Sequence, residues 1–200
     1  MFKTKEALIP YLLLVAAMAG GLIWHESENV PGLGRTVTQG QADLGGPFTL
    51  TDHDGKKRSS NDFRGKYQLI YFGYSFCPDV CPTTLGVIAQ ALDKMGVEQN
   101  RIVPIFITID PERDTPAVLK KYMAAFGDRF VGFTGSVAEI EAVEKKYRVY
   151  AKKTPLPEGN GYGMDHSSVI YLMAPDGRLV SFYDELISPD DLLKELKAKI

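Results

Sequence analysis

The rhythm of hydrophobic and polar positions changes several times along the chain. Residues 7–24, ALIPYLLLVAAMAGGLIW, run for 18 positions without a formal charge. About 20 apolar residues cross a bilayer, so this run predicts a transmembrane helix. Residues 25–40 are polar, broken by Gly and Pro and without a period, which predicts a linker. From residue 41 the pattern turns regular. Phe48-Thr49-Leu50-Thr51 alternates and leads to the turn signal Asp54-Gly55. Residues 67–74, YQLIYFGY, read as a buried strand, and so do residues 102–109. Between them Leu85, Ile88, Ala91, Leu92 and Met95 recur at helical spacing, with Gly96 at the end. Thr115-Pro116 opens a second helix, continued by Leu119, Tyr122, Met123 and Phe126 and closed by Gly127. Residues 130–133 form a short strand, and Ser136 with Glu139 makes the capping box of a third helix. Residues 152–164 are polar and rich in Pro and Gly, which predicts a loop. Strands at 168–173 and 178–183 are joined by Pro175-Asp176-Gly177. Ser188-Pro189 starts a last helix with apolar positions at Leu192, Leu193, Leu196 and Ile200. Alternation of this kind predicts one α/β domain over residues 41–200, with helices on both faces of the sheet.

The flanks of the apolar run predict where that domain resides. Lys3 and Lys5 precede it, and Glu26 and Glu28 follow it. By the positive-inside rule residues 1–6 stay in the cytoplasm and residues 25–200 are exported. Tyr11 and Trp24 lie toward the two ends, where amphipathic aromatics are favoured. A cleaved signal peptide is the rival reading, since Ala17-Met18-Ala19 has the small-x-small form. Leu22, Ile23 and Trp24 continue the apolar run beyond that site, which favours the uncleaved anchor. Both readings export the domain. The short N-terminus lacks the Arg and Ser richness of an organelle transit peptide, so the expected membrane is the bacterial inner one, with the domain in the periplasm.

Composition narrows the function classes. With 44% hydrophobic and 24% charged residues the chain is not disordered. Lys+Arg number 23 against 25 Asp+Glu, so no electrostatic draw toward nucleic acid is expected.

The candidate chemistry lies between the first buried strand and its helix, in Ser75-Phe76-Cys77-Pro78-Asp79-Val80-Cys81-Pro82. Each cysteine precedes a proline, which biases it away from helical dihedrals. This places Cys81 at the helix cap and Pro82 at the first helical position. Thiols at a helix N-terminus are favoured as thiolates, which are redox nucleophiles and soft-metal ligands. A buried structural pair and a simple structural disulfide are the bland alternatives. Of the three histidines, His25 follows the membrane run, His53 lies at a hairpin tip, and His166 lies in a loop entering a strand. His166 is the strongest nitrogen candidate. Two thiolates and one imidazole suit copper, whereas a structural zinc site wants a fourth protein ligand. Asp165 or water could complete a four-coordinate shell. Met164 offers a thioether, but Met18, Met95, Met123 and Met173 read as membrane or core filler, and Met164 carries little more weight.

The ordered set of motifs resembles the Sco/SenC family, the membrane-anchored copper proteins of cytochrome c oxidase assembly. The residues that carry the resemblance are Tyr71 through Pro82 (YFGYSFCPDVCP), Thr108 through Pro116 (TIDPERDTP), Tyr147-Arg148-Val149-Tyr150, and Asp165-His166-Ser167-Ser168. The resemblance implies a thioredoxin-like fold, a central mixed sheet with helices on both faces. It implies one copper, as Cu(I) or Cu(II), held by Cys77, Cys81 and His166. It implies an upstream copper donor chaperone, and delivery to the binuclear copper site of oxidase subunit II or another copper-accepting protein, either by handing over metal or by reducing that site's cysteines. Thioredoxins carry C-x-x-C and a cis-proline facing it. This chain has one more residue between its cysteines and no proline from 159 to 174, where His166 occupies the corresponding loop. The leading expectation is therefore a metallochaperone without turnover. An anchored thiol-disulfide oxidoreductase using Cys77 and Cys81 is the alternative, and a peroxidase a third.

Overall fold

A computed structural model describes residues 35–36, 44–157 and 161–200, with the backbone alone for 35–36. The expected anchor and linker, 7–24 and 25–40, fall outside the described residues apart from that pair. Among the described residues no helix is long and apolar enough to cross a membrane.

In chain order the strands are β1 (Arg35–Thr36), β2 (Thr49–Asp52), β3 (Lys57–Ser59), β4 (Tyr67–Gly73), β5 (Ile102–Thr108), β6 (Val131–Thr134), β7 (Ala151–Pro155), β8 (Tyr162–His166), β9 (Val169–Met173) and β10 (Leu179–Asp184). The helices are α1 (Val80–Lys94), α2 (Pro116–Ala124), α3 (Val137–Tyr147) and α4 (Pro189–Lys199). One sheet runs β1-β10-β9-β4-β5-β6-β2-β3. β4, β5 and β6 are parallel, while β9, β10 and β2 join antiparallel, so the sheet is mixed.

Strand β4 lies at the centre, and Leu69, Ile70, Tyr71 and Phe72 are all fully buried. A strand covered on both faces needs apolar residues at every position, which explains its unbroken run. Alternate side chains serve alternate layers. On one face Tyr71 and Phe106 meet Cys81 of α1 and Tyr122 of α2. On the other, Phe72 and Tyr171 meet Tyr147 of α3. Helix α4 packs on α1. The capping signals act as expected: Thr115 accepts the Val118 N–H at 3.4 Å, and Ser136 and Glu139 form a reciprocal capping box.

Two expectations need correction. Residues 152–164 are not a plain loop. β7 and β8 pair as a separate two-stranded ribbon, with Ala151 opposite His166. Its strands are exposed and short of apolar residues, so no hydrophobic period announces them; cross-strand hydrogen bonds and two ends tied to the body suffice. Helix α1 also begins earlier than expected, at Val80 with Asp79 as N-cap. Cys81 is therefore the second helical residue rather than the cap. A proline is tolerated in a first helical turn, and burial of the Cys81 side chain outweighs the pre-proline bias.

Candidate metal centre

The C-terminal end of β4 and the start of α1 build the site. The segment after Gly73 turns back on itself, the Cys77 N–H donating to the Tyr74 carbonyl at 3.2 Å. Cys77 stays half-buried, whereas one turn of helix takes Cys81 into the core, fully buried. Gly73 allows this: a Cβ there would stand 2.9 Å from Cys81 Sγ. Both thiols are unbridged. The Cys81 N–H donates to Cys77 Sγ at 3.4 Å, and the Tyr71 hydroxyl donates to Cys81 Sγ at 3.8 Å.

The third residue arrives from the ribbon. His166 Nε2 lies 3.7 Å from Cys81 Sγ across a separation of 85 positions. Its Nδ1 is 3.1 Å from the Ser167 carbonyl oxygen, an acceptor only. That contact makes Nδ1 the protonated nitrogen and leaves the Nε2 lone pair toward the sulfur. The Tyr74 ring stands edge-on to the imidazole at 5.9 Å. Cys77, His166, Asp165 and Met164 line one open cleft of about 370 Å³. Alternation along β8 puts Tyr162, Met164 and His166 on one side and the exposed Asp165 on the other. His53 is elsewhere: its Nδ1 accepts the Gly132 N–H at 2.9 Å, tying the β2–β3 turn to β6. His25 falls outside the described residues.

The two thiols differ in acidity. Cys77 is pulled down to about 5, first by the hydrogen bond from the Cys81 thiol and then by the N–H groups of Cys81 and Asp79, with burial opposing. Cys81 is pushed up, because its thiol donates a hydrogen bond to the Cys77 sulfur and because it is buried. The helix N-terminus thus favours one thiolate, not two as expected from sequence. Burial, followed by the two cysteines, raises the Tyr74 hydroxyl.

Two soft sulfurs and an imidazole can hold a soft ion. With metal–sulfur and metal–nitrogen bonds of about 2.3 and 2.0–2.1 Å, trigonal or tetrahedral angles put S and N about 3.5–3.8 Å apart. The Cys81–His166 edge already has that span. Among the described residues no three His, Cys, Asp or Glu side chains stand as a finished metal cluster.

Sequence reasoning singled out Thr108–Pro116 without giving it a task. Asp114 is buried and accepts from Ser75 N at 3.0 Å, from Ser75 Oγ, and from Thr108 Oγ1 at 2.6 Å. It anchors the loop that carries the cysteines. Four charged residues in nine positions were the available signal, since a buried carboxylate needs partners.

A sequence model of SCO1/SenC matches residues 36–200. The chain belongs to the SCO1/SenC family. A mitochondrial SCO2 homologue of Mus musculus is 37% identical over 198 residues, covering 94% of this chain and 78% of its own length. The structure of Bradyrhizobium japonicum ScoI with copper bound is 46% identical, with a TM-score of 0.72 over 78% of this chain and 99% of that one. BsSco, a member of the Sco family of cytochrome c oxidase assembly proteins in which a disulfide switch is identified, is 29% identical, with a TM-score of 0.64 over 82% of this chain and 96% of its own. The mixed sheet with helices on both faces is the thioredoxin-like fold of these Sco structures.

Proposed function

We propose that this Sco-family protein is a copper metallochaperone that holds one copper through Cys77, Cys81 and His166 and serves assembly of the binuclear copper site of cytochrome c oxidase subunit II. The observation that carries the reading is the approach of His166 Nε2 to Cys81 Sγ at 3.7 Å, between segments 85 positions apart. The copper-bound Sco relatives support the choice of metal. The apolar run at 7–24 anchors the chain in the bacterial inner membrane, with the folded domain in the periplasm. A donor protein loads the metal and a copper-accepting protein takes it.

Copper is cargo here, and its hold depends on the residues around it. Cys77 is half-exposed and already a thiolate at neutral pH, so it meets the incoming ion first. Cys81 must lose its proton to ligate, so loading releases protons and weakens as pH falls. His166 keeps Nε2 free because Nδ1–H is engaged by Ser167.

The split acidity supports a second reading, thiol reduction of the acceptor site. The Cys77 thiolate attacks one sulfur of a partner disulfide, forming a mixed disulfide and releasing one partner thiolate. The Cys81 sulfur, deprotonated, then attacks Cys77 and frees the second partner thiolate. Two electrons pass and a Cys77–Cys81 disulfide remains. The disulfide form has no thiolate left to hold Cu(I).

Metal analysis of the full chain, reduced and oxidised, with and without His166→Ala, tests the reading. Reduced protein should bind one copper, oxidised protein none, and His166→Ala should lose Cu(II) affinity. An unchanged Cu(II) affinity and spectrum in His166→Ala defeats the ligand set. Reduction of an oxidised acceptor that persists in His166→Ala supports the second reading.

A further inference from the structure

The ribbon that carries His166 pairs with no strand of the main sheet. Its two ends join the body, so side-chain contacts with the segment before α2 fix its tilt against the cysteine loop, the exposed Lys153–Glu112 pair at 2.6 Å among them. Arg113 stands at that junction. Its Nη1 donates to the Tyr162 carbonyl at 2.8 Å, and its guanidinium carbon lies 3.8 Å from the centre of the Tyr162 ring. Its Nε is paired with Asp110, whose Oδ1 also accepts the Tyr162 hydroxyl at 2.9 Å. The guanidinium carbon is also 4.9 Å from the centre of the Phe76 ring and 5.7 Å from that of Tyr74.

These contacts join the two limbs of the site. Phe76 immediately precedes Cys77. Tyr162 is four residues before His166 on the same side of β8, and Tyr74 touches the imidazole itself. Asp110 is held in turn, its N–H donating to Thr108 Oγ1 at 2.9 Å, which donates to Asp114 at 2.6 Å. Arg113 also leaves Nη2 buried without a hydrogen-bond partner. A buried orphan donor is unfavourable and uncommon, and here it follows from placing a planar cation among three aromatic rings. Lysine has neither the plane to stack nor the fork to reach Asp110 and the Tyr162 carbonyl together.

We propose that Arg113 is a positioning residue that clamps the histidine ribbon to the cysteine loop and thereby sets how well His166 completes the copper site. The proposal rests on the ligand set proposed above. Loss of such outer partners typically costs about 10–100-fold in metal affinity. The loss should fall on Cu(II), which depends on the imidazole. Cu(I), gripped by two sulfurs of one loop and helix turn, should change less than about tenfold.

The test uses the full-length protein carrying Arg113→Met, Arg113→Lys or Tyr162→Leu, each checked for folding by circular dichroism. The readouts are Cu(II) affinity by competition and the nitrogen splitting in the Cu(II) electron paramagnetic resonance spectrum. Arg113→Met and Tyr162→Leu should each lose about 10–100-fold in Cu(II) affinity and weaken the nitrogen splitting. Arg113→Lys should recover part of it, and the double variant should be no worse than either single one. Tyr162→Leu lies outside the main sheet, so it decides the question if Arg113→Met does not fold. A folded variant with unchanged Cu(II) affinity and nitrogen splitting overturns the clamp. Wild-type protein whose Cu(II) binding ignores His166→Ala overturns the ligand set instead, and the clamp with it.

Discussion

Replacing Gly73 by Ala should damage both the core and the site, by an amount the structure bounds. The added methyl would meet Cys81 Sγ at 2.9 Å, Phe106 Cε2 at 3.0 Å and Tyr71 Cε1 at 3.1 Å. Ordinary carbon contacts lie at about 3.5–4.0 Å, so each neighbour must retreat by roughly half an ångström or more. All three are fully buried, and none has a loose end to swing into solvent. Overpacking of this kind costs about 1–3 kcal/mol. At roughly 2–4 °C per kcal/mol for a domain of this size, the melting temperature should fall by about 2–12 °C. Cys81 is the smallest of the three, so its sulfur should move most, and with it the Cys81–His166 edge. Thermal melts followed by circular dichroism measure the first effect, and Cu(II) titration the second. Gly86→Ala is the paired control, because a Cβ there meets nothing within 4 Å. It lies inside α1 and should gain about 0.5–1 kcal/mol. A Gly73→Ala protein that melts within 1 °C of wild type and keeps its Cu(II) affinity would refute the packing argument.

Other outcomes follow from the same geometry. Iodoacetamide at pH 7 should label Cys77 well before Cys81, and its rate at Cys77 should fall only as pH drops through about 5; peptide mass spectrometry of early time points reads this. Glu144 is raised to about 7 by burial and by Glu141, so it favours the folded state most below about 4.5, its ordinary value, and that contribution disappears as pH rises through 7. Glu144→Gln should therefore gain about 1–2 kcal/mol at pH 8 relative to wild type, after discount for partial solvent contact, and nothing at pH 4; urea melts at the two pH values check it. Copper at 100 times its dissociation constant should raise the stability of the reduced protein by about 2.7 kcal/mol, and leave the oxidised form unmoved in the same melt.

The parts of the fold that were legible are those with a local cause. Strands β4 and β5 could be read because burial on both faces leaves continuous apolar runs, Leu69–Phe72 and Ile102–Ile107. Helices α2, α3 and α4 could be read because Thr115, Ser136 and Ser188 satisfy their first N–H groups. The ribbon was not legible, because its exposed strands carry no hydrophobic period. The start of α1 was misplaced, because a buried sulfur outweighs the local preference of a residue before proline. Asp110, Arg113 and Asp114 stood in a visible motif, but their partners Ser75 and Tyr162 are 39 and 52 positions away from Asp114 and Asp110.

The amino-acid order alone determined which residue types could bind a soft metal, that two of them share one loop and helix turn, and that an α/β core would carry them. Those follow from interactions within a few residues and from burial patterns. Only the tertiary structure decided that one thiol is acidic while its neighbour is not, and that an imidazole on a separate ribbon stands within reach of the buried sulfur. The first depends on how deeply the core buries Cys81 while Cys77 stays half-exposed, and the second on a contact between segments 85 positions apart; both are set by packing that no local pattern encodes.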